Sequence, residues 1–474
     1  MLSKDKMYVV DIVDIGQGGV GIGKFEGFTV FVDGGLVKDK IKVKITKSKK
    51  NYAVGDIVEI IEPSPYRVER KCSKELKDCG GCQIQELDYQ EQLNIKTNEV
   101  KQVISRIGKL EDVVVHPALG MEEPFRYRNK AQFPIQKVDG SPVIGFYKKK
   151  SHDIIPTDQC IIQHDVNDKI IKIIKTYIRA YKVSVYDEKT HTGVLRHLVT
   201  KVGFTSKEVM LVLVANGRKL HYLNELASVL KENIPGFKTL VVNVNREKTN
   251  VILGNKEIVL AKDDHIQEEL NGMYFNISSK SFYQINPKQT KVLYDLAIEF
   301  ANISKDDLVI DLYCGTGTIG LLASRYAKKV IGVEIVEQAI EDAKVNAINN
   351  HVDNIEFICA DAAKGANLLL ERNIKSDVVI VDPPRKGCDK QTLEAISIFD
   401  PSRLVYVSCD PATLARDCKI LCEQYHYQIK KIQPVDMFPN TSHVETVCLL
   451  SKLHEAKHHV NVTVDMDEMD LSSW

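Results

Sequence analysis

The chain has 474 residues, 44% of them hydrophobic and 27% charged, the composition of an ordinary soluble globular protein with ample core. At ~100–200 residues per domain it should hold about three domains. Lysine and arginine (64) balance aspartate and glutamate (64), which excludes a global field that attracts nucleic acid; such a partner must be held by local patches. The N-terminal stretch MLSKDKMYVV has no apolar signal region, and no apolar run is long enough to cross a bilayer. A cytoplasmic location with no membrane partner is therefore expected. In that reducing compartment the eleven cysteines point to metal binding or catalysis where they cluster, not to disulfides.

Residues 1–62 alternate apolar and polar side chains in MYVVDIVDI, GFTVFVD, DKIKVKITK and GDIVEIIEP, with glycine-rich corners between them. Several short strands in so few residues predict a small closed barrel of the OB type. Between Lys38 and Lys50 stand seven lysines and one acid, Asp39. A solvated strand face and a phosphate-contacting surface both read this way. In a barrel the second is preferred, and the expected partner is RNA, not DNA.

Pro63 and Pro65 punctuate the exit from the barrel. The middle region, 63–265, mixes a cysteine cluster, a predicted helix near residues 86–108 and alternating strands such as LRHLVTKVGF and EVMLVLVAN, an α+β pattern. Within it, FRYRNKAQFPI sets Arg126, Arg128 and Lys130 among Phe125, Tyr127 and Phe133. Cations interleaved with aromatics suit a surface that grips phosphates and stacks bases. A two-faced edge strand has the same pattern.

Over residues 266–454 the rhythm changes to strand and helix. LVIDLY, KVIGVEI, NIEFICAD, DVVIVDPP and LVYVSCD are five short apolar strands, with helical patterns between the first four and after the fifth. They predict an α/β, Rossmann-like domain with a parallel sheet wrapped by helices. IQPVDMFP and HVETVCLLSK predict a closing antiparallel pair. Residues 455–474 form a polar, acidic tail to which no function is assigned.

DLYCGTGTIG follows the first of these strands and opens a helix, with Gly315, Gly317 and Gly320 in G-x-G-x-x-G spacing and Glu334 about 20 residues further on. Glycines let the backbone approach a ligand, and the acid can accept hydrogen bonds from two ribose hydroxyls. That fits a dinucleotide as well as S-adenosylmethionine. Asp311, four residues before the first glycine, and the DPPRKG that ends the fourth strand favour the latter. Ligands of open α/β sheets bind at the carboxyl ends of the strands. Asp311, Glu334, Asp361, Asp382 and Cys409 all stand at such ends, and as a group they are poorly explained as turn residues and helix caps.

In RLVYVSCDPATLARD, the apolar run stops at Ser408 and Cys409, before an Asp-Pro turn. A thiol at the rim faces whatever accepts the methyl group. Transfer to oxygen or an exocyclic nitrogen needs no thiol. Transfer to carbon 5 of a pyrimidine does, because thiolate attack at carbon 6 makes carbon 5 electron-rich. A base must then take the carbon-5 proton so that elimination can follow. Glu445, expected at the start of the last strand, is the candidate base. His443 competes with it and is read instead as a hydrogen-bonded surface histidine.

DLYCGTGTIG, VDPPRKG, VSCDPATLARD and HVETV, in this order, resemble the RNA (uracil-5-)-methyltransferases, and the barrel resembles a TRAM domain. The resemblance covers nearly the whole chain except the tail. It implies that Cys409 is the nucleophile and Glu445 the base. Gln284 of SFYQINPKQT, Tyr313, Glu334 and Asp382 would line the S-adenosylmethionine pocket, which the residue reading extends to Gly315 and Asp361. The expected activity is methylation of uridine at carbon 5 in structured RNA, with 23S ribosomal RNA as the expected substrate.

CSKELKDCGGC contains Cys72, Cys79 and Cys82, and Cys160 follows 78 positions later. Four thiolates suit either zinc or an iron–sulfur cluster, and spacing does not choose between them. The resemblance implies a [4Fe–4S] cluster, since the ribosomal branch of the family carries one at this position. With every iron closed by a cysteine, the cluster would be structural and RNA-orienting. The other cysteines read as packing residues.

Three alternatives stand beside this reading. A cytosine-5 RNA methyltransferase shares the thiolate chemistry, and only the family match separates it. A non-catalytic RNA-binding protein on the same scaffold would have no use for Cys409 and Glu445 together. An NAD-dependent oxidoreductase leaves SCDP without a role.

Overall fold

Alternation along the first strands buries one side of each and closes a barrel. The chain, described here by a computed structural model over residues 2–452 except 150, 218 and 219, begins with β1 (Met7–Gly16), β2 (Val20–Phe25), β3 (Phe28–Asp33), β4 (Lys40–Ser48) and β5 (Tyr52–Glu62). Their order is β1-β2-β3-β5-β4, and β4 pairs back onto β1 to close the barrel. Val10, Val30, Val32, Ile41, Val43 and Ile45 fill its interior. β2 is a strand that the sequence reading passed over as glycine corners; Gly21 and Gly23 are its buried inward positions.

Asp88 caps α1 (Tyr89–Arg106) by accepting from the amides of Gln90 and Glu91. The apolar face of this helix lies against the C-terminal domain: Val100 and Ile104 share a core with Leu312, Tyr406 and Leu421.

The central sheet is built from β6 (Lys130–Val138), β7 (Ser141–Tyr147), β8 (Ile154–Pro156), β9 (Leu195–Val202), β10 (Val209–Ala215), β11 (Phe237–Val244) and β12 (Lys256–Val259). Its order is β12-β11-β10-β9-β6-β7-β8, and α2 (Val166–Ala180) and α3 (Leu223–Asn233) pack on it. FRYRNKAQFPI thus enters an interior strand. Tyr127 and Phe133 are buried, so they cannot stack bases, and Arg126 pairs with Asp168 at 3.1 Å. The surface reading of this stretch is corrected for Tyr127 and Phe133, which build core, while half-buried Phe125 lies under the Lys71 ammonium.

A hairpin, β13 (His265–Leu270) and β14 (Met273–Ser278), leads to α4 (Pro287–Ala301). Then come β15 (Leu308–Leu312), α5 (Thr318–Ser324), β16 (Lys329–Glu334), α6 (Glu337–Asn349), β17 (Ile355–Cys359), α7 (Ala362–Glu371) and β18 (Val378–Val381). They are followed by α8 (Lys390–Phe399), β19 (Arg403–Ser408), α9 (Pro411–Tyr425), β20 (Tyr427–Val435) and β21 (Glu445–Lys452). The sheet order is β17-β16-β15-β18-β19-β21-β20. β15 to β19 run parallel, and β21 is antiparallel to both β19 and β20. α8 fills the connection where no helix was expected. The chain reverses direction of winding between β15 and β18, the place where ligands of open α/β sheets bind at the carboxyl ends of the strands. Among the described residues no helix is long and apolar enough to cross a membrane. The acidic tail lies outside the described residues.

Candidate active site

The parallel strands end together, so their last residues share one rim. Tyr313 follows β15 with φ 65°, an uncommon left-handed conformation for an aromatic residue and the kind of strain that collects at functional sites. Gly315 follows, with nothing within 4 Å of where a Cβ would stand. Gly317 then caps α5 at φ 80°, where a Cβ would meet Phe357 at 2.9 Å; only glycine fits. Glu334, ending β16, accepts from the amides of Gly315 (3.1 Å) and Val336 (2.9 Å), which fixes its carboxylate beside the loop. Asp361 caps α7 by accepting from Ala363 N.

Asp311 is fully buried, and neither carboxylate oxygen has a hydrogen-bond partner among the described residues. Burial, with Asp382 and Glu334 adding, pushes it up to about 8. Asp382 is pushed up to about 7 by burial. Its charge also bears on buried Tyr294, which Gln284 approaches as a hydrogen-bond partner; burial raises that phenol. The backbone of Gln284 is held by Asn129, whose Nδ2 donates to its carbonyl at 2.9 Å. Orphaned acid oxygens, open space at Gly315 and a fixed Glu334 carboxylate fit a ligand with a ribose and a positive charge.

Strand pairing brings the segments of Cys409 and Glu445 together. β19 and β21 pair antiparallel from Arg403 opposite Ser451 to Ser408 opposite Thr446. The ladder ends there; Cys409 follows Ser408 and Glu445 precedes Thr446, and the charge of Glu445 bears on the Cys409 thiol. The turn after Cys409 is secured by Asp410, which caps α9 by accepting from Ala412 N (2.9 Å) and Thr413 N (3.2 Å), with Pro411 at the first helical position. Burial, Glu445 and Asp382 push the Cys409 thiol up to about 12, and Arg385 opposes them. Glu445 is 3% exposed and is pushed up to about 8 by burial and Asp382, again opposed by Arg385. His443 is half-buried and stands edge-on to Phe438; burial and then Arg385 lower its basicity.

Cys72, Cys79, Cys82 and Cys160 line one cavity of about 300 Å³, apart from the rim. Cys82 is pushed up to about 12 by burial, with Cys160, Cys79 and Cys72 adding. Donors face these sulfurs: Arg70 Nη1 lies 3.6 Å from Cys72 Sγ, and Gly81 N lies 3.4 Å from Cys79 Sγ. Gln85 lines the same cavity with a buried amide nitrogen that has no partner among the described residues. No group of three His, Cys, Asp or Glu among the described residues converges tightly enough to hold one metal ion. Of the remaining cysteines, Cys359 is exposed at the end of β17 and so is no packing residue.

Two residues escaped the sequence reading. Arg385, in the DPPRKG motif itself, bears on both Cys409 and Glu445. Phe282, two residues before Gln284, is 71% exposed. The sequence marked neither: the first reads as a solvated loop cation and the second as an aromatic before a turn. The barrel lysines are also less free than their count suggests, since Lys40 pairs with Glu62 at 2.9 Å and Lys44 with Asp5 at 3.4 Å.

Comparison with known proteins agrees with this geometry. The family model tRNA (Uracil-5-)-methyltransferase matches residues 88–453, and the TRAM domain model matches residues 6–58. An uncharacterized RNA methyltransferase of Clostridium tetani is 48% identical over 456 residues, 96% of this chain and 98% of that protein. One from Halalkalibacterium halodurans is 45% identical, over 95% and 98%. Among solved structures, the Pyrococcus abyssi tRNA (uracil-54, C5)-methyltransferase in complex with S-adenosyl-L-homocysteine superposes with TM-score 0.75 at 29% identity, covering 93% of this chain and 99% of that one. The chain therefore belongs to the tRNA (uracil-5-)-methyltransferase family and is an S-adenosylmethionine-dependent RNA (uracil-5-)-methyltransferase.

Proposed function

We propose that the enzyme methylates carbon 5 of a uridine in structured RNA through a covalent adduct between Cys409 and carbon 6. The observation that supports this reading is that β19 and β21 pair up to Ser408 and Thr446, the residues next to Cys409 and Glu445, and that the charge of Glu445 bears on the Cys409 thiol. The Cys409 thiolate adds to carbon 6, forming the S–C6 bond and moving the electron pair toward carbon 5. S-adenosylmethionine, when bound, supplies the electrophilic methyl group. Glu445 then takes the carbon-5 proton, the C5–C6 double bond re-forms, and the sulfur leaves as thiolate. Burial disfavours the ionised form of both groups, and Arg385 is the charge placed to favour it.

Gln284, Tyr313, Gly315, Glu334, Asp361 and Asp382 are the residues that would hold the cofactor, with Asp311 behind them. Exposed Phe282 offers a face for a base lifted out of its stack. The cavity of Cys72, Cys79, Cys82 and Cys160 would hold the [4Fe–4S] cluster, structural in role. The TRAM barrel and this cysteine set favour 23S ribosomal RNA as substrate. The transfer RNA target named for the Pyrococcus abyssi relative supports a second reading.

The test is tritium release from RNA labelled at carbon 5 of uridine, run on 23S ribosomal RNA and on total transfer RNA from cells lacking the gene. Release from the ribosomal substrate is expected. Release from transfer RNA alone reverses the choice of substrate, and methylation without release from either moves the reaction away from carbon 5.

A further inference from the structure

We propose that Asp417 is a positioning residue that seats the Arg385 loop against the nucleophile segment, a reading that rests on Cys409 being the nucleophile. Asp417 lies on α9, eight positions after Cys409, and its side chain is wholly buried. One carboxylate oxygen accepts from Cys388 N at 2.8 Å and from the Tyr406 hydroxyl at 2.7 Å. The other accepts from Arg416 Nε at 2.8 Å. Arg416 Nη2 in turn donates to the carbonyls of Lys386 (2.9 Å) and Cys388 (3.2 Å). Thr413 Oγ1 donates to the Arg385 carbonyl at 3.2 Å. The loop itself is a tight turn closed by Gly387 N to Pro384 O at 2.8 Å. A Cβ at Gly387 would lie 2.6 Å from both Asp417 and Arg416, so the turn is pressed against them.

The backbone from Arg385 to Cys388 is thus bonded to the first two turns of the helix that begins beside Cys409. Tyr406 extends the same carboxylate to β19, three residues before the thiol. Four charged neighbours bear on or adjoin Cys409: Glu445 from β21, Asp382 and Arg385 from the loop after β18, and Asp410 next in the chain. Arg385 is the cation among them, and it opposes the burial and the acids that disfavour the thiolate, so its placement bears on how easily the thiol ionises. Asp417 holds that cation in place without touching substrate.

The experiment measures alkylation of Cys409 by iodoacetamide against pH, read on the Cys409 peptide by mass spectrometry because other thiols also react. In Asp417→Asn the midpoint should move up by about one pH unit, a tenfold loss of thiolate at a given pH. Turnover should fall by a similar factor, with KM for RNA and S-adenosylhomocysteine affinity within twofold of the parent. Arg416→Gln cuts the bonds to Lys386 and Cys388 from a half-exposed position; it should give a smaller shift of the same sign, and it stands in if Asp417→Asn does not fold. In an Arg385→Ala background neither change should shift the midpoint further, since the two act through one residue. A parental midpoint in both single variants, or full additivity with Arg385→Ala, overturns the proposal. Turnover by Cys409→Ala would instead remove the nucleophile, and this proposal with it.

Discussion

Asp311, Asp382 and Glu445 are acids that burial holds above their ordinary range, and each has a cost in the free protein. For Asp311 the folded value of about 8 exceeds the ordinary 3.8, so the native state holds its proton more tightly than the unfolded chain. Between those values unfolding releases a proton, and rising pH therefore lowers stability. Asp311→Asn removes this term. The variant should gain on the parent as pH rises from 4 to 8, by ~2 kcal/mol at the upper end once relaxation is allowed for. Chemical denaturation of the two proteins at pH 5 and pH 8 checks this; a gap that is constant or narrows contradicts it. At this scale the places of Asp311, Glu334, Asp382 and Cys409 at strand ends, and of Glu445 at the start of the last strand, were legible from where the apolar runs stop and begin. Arg385 and Asp417 were not, because a cation in a loop and an acid in a helix look like solvated surface until the fold brings them together.

The elements that carry the site are set by local rules. α9 starts where it does because Asp410 and Pro411 are a strong cap and first residue. Asp410→Ala should cost ~1 kcal/mol of stability and slow methyl transfer. Urea unfolding tests this, and an unchanged midpoint would mean the Pro411 start suffices. The parallel strands and the closing antiparallel pair were readable from their apolar runs. β2 was hidden because its inward residues are Gly21 and Gly23, which read as turns. α8 was hidden behind the DPPRKGC turn, whose proline and glycine suggest that the loop continues. FRYRNKAQFPI misled because alternation reports two faces without saying that strands pair with both edges and that Tyr127 and Phe133 face core.

Across the whole molecule the order of barrel, mixed region and α/β domain was visible in composition and rhythm. That α1 packs on the C-terminal sheet was not, since an apolar stripe does not name its partner. The cysteine cavity adjoins the barrel through charges: Arg67 pairs with buried Asp39 at 2.6 Å and Glu86 at 3.7 Å, and Arg70 joins Glu86 (3.5 Å) to Cys72 (3.6 Å). Lys149 also reaches Asp33 of β3 at 3.0 Å. Cys82→Ser should therefore lose bound iron and open the chain between the barrel and α1 to limited proteolysis, while S-adenosylhomocysteine still binds. Stoichiometric zinc in protein expressed with ample iron would instead replace the cluster assignment. The central claim is that Cys409 and Glu445 act on one uridine in sequence, addition first and proton removal later. Denaturing gel electrophoresis of wild type, Cys409→Ala and Glu445→Gln with labelled RNA and S-adenosylmethionine tests it most directly. Glu445→Gln should accumulate a methylated protein–RNA adduct that survives denaturation, and Cys409→Ala should form none. An adduct from Cys409→Ala, or normal turnover by Glu445→Gln, would contradict the account.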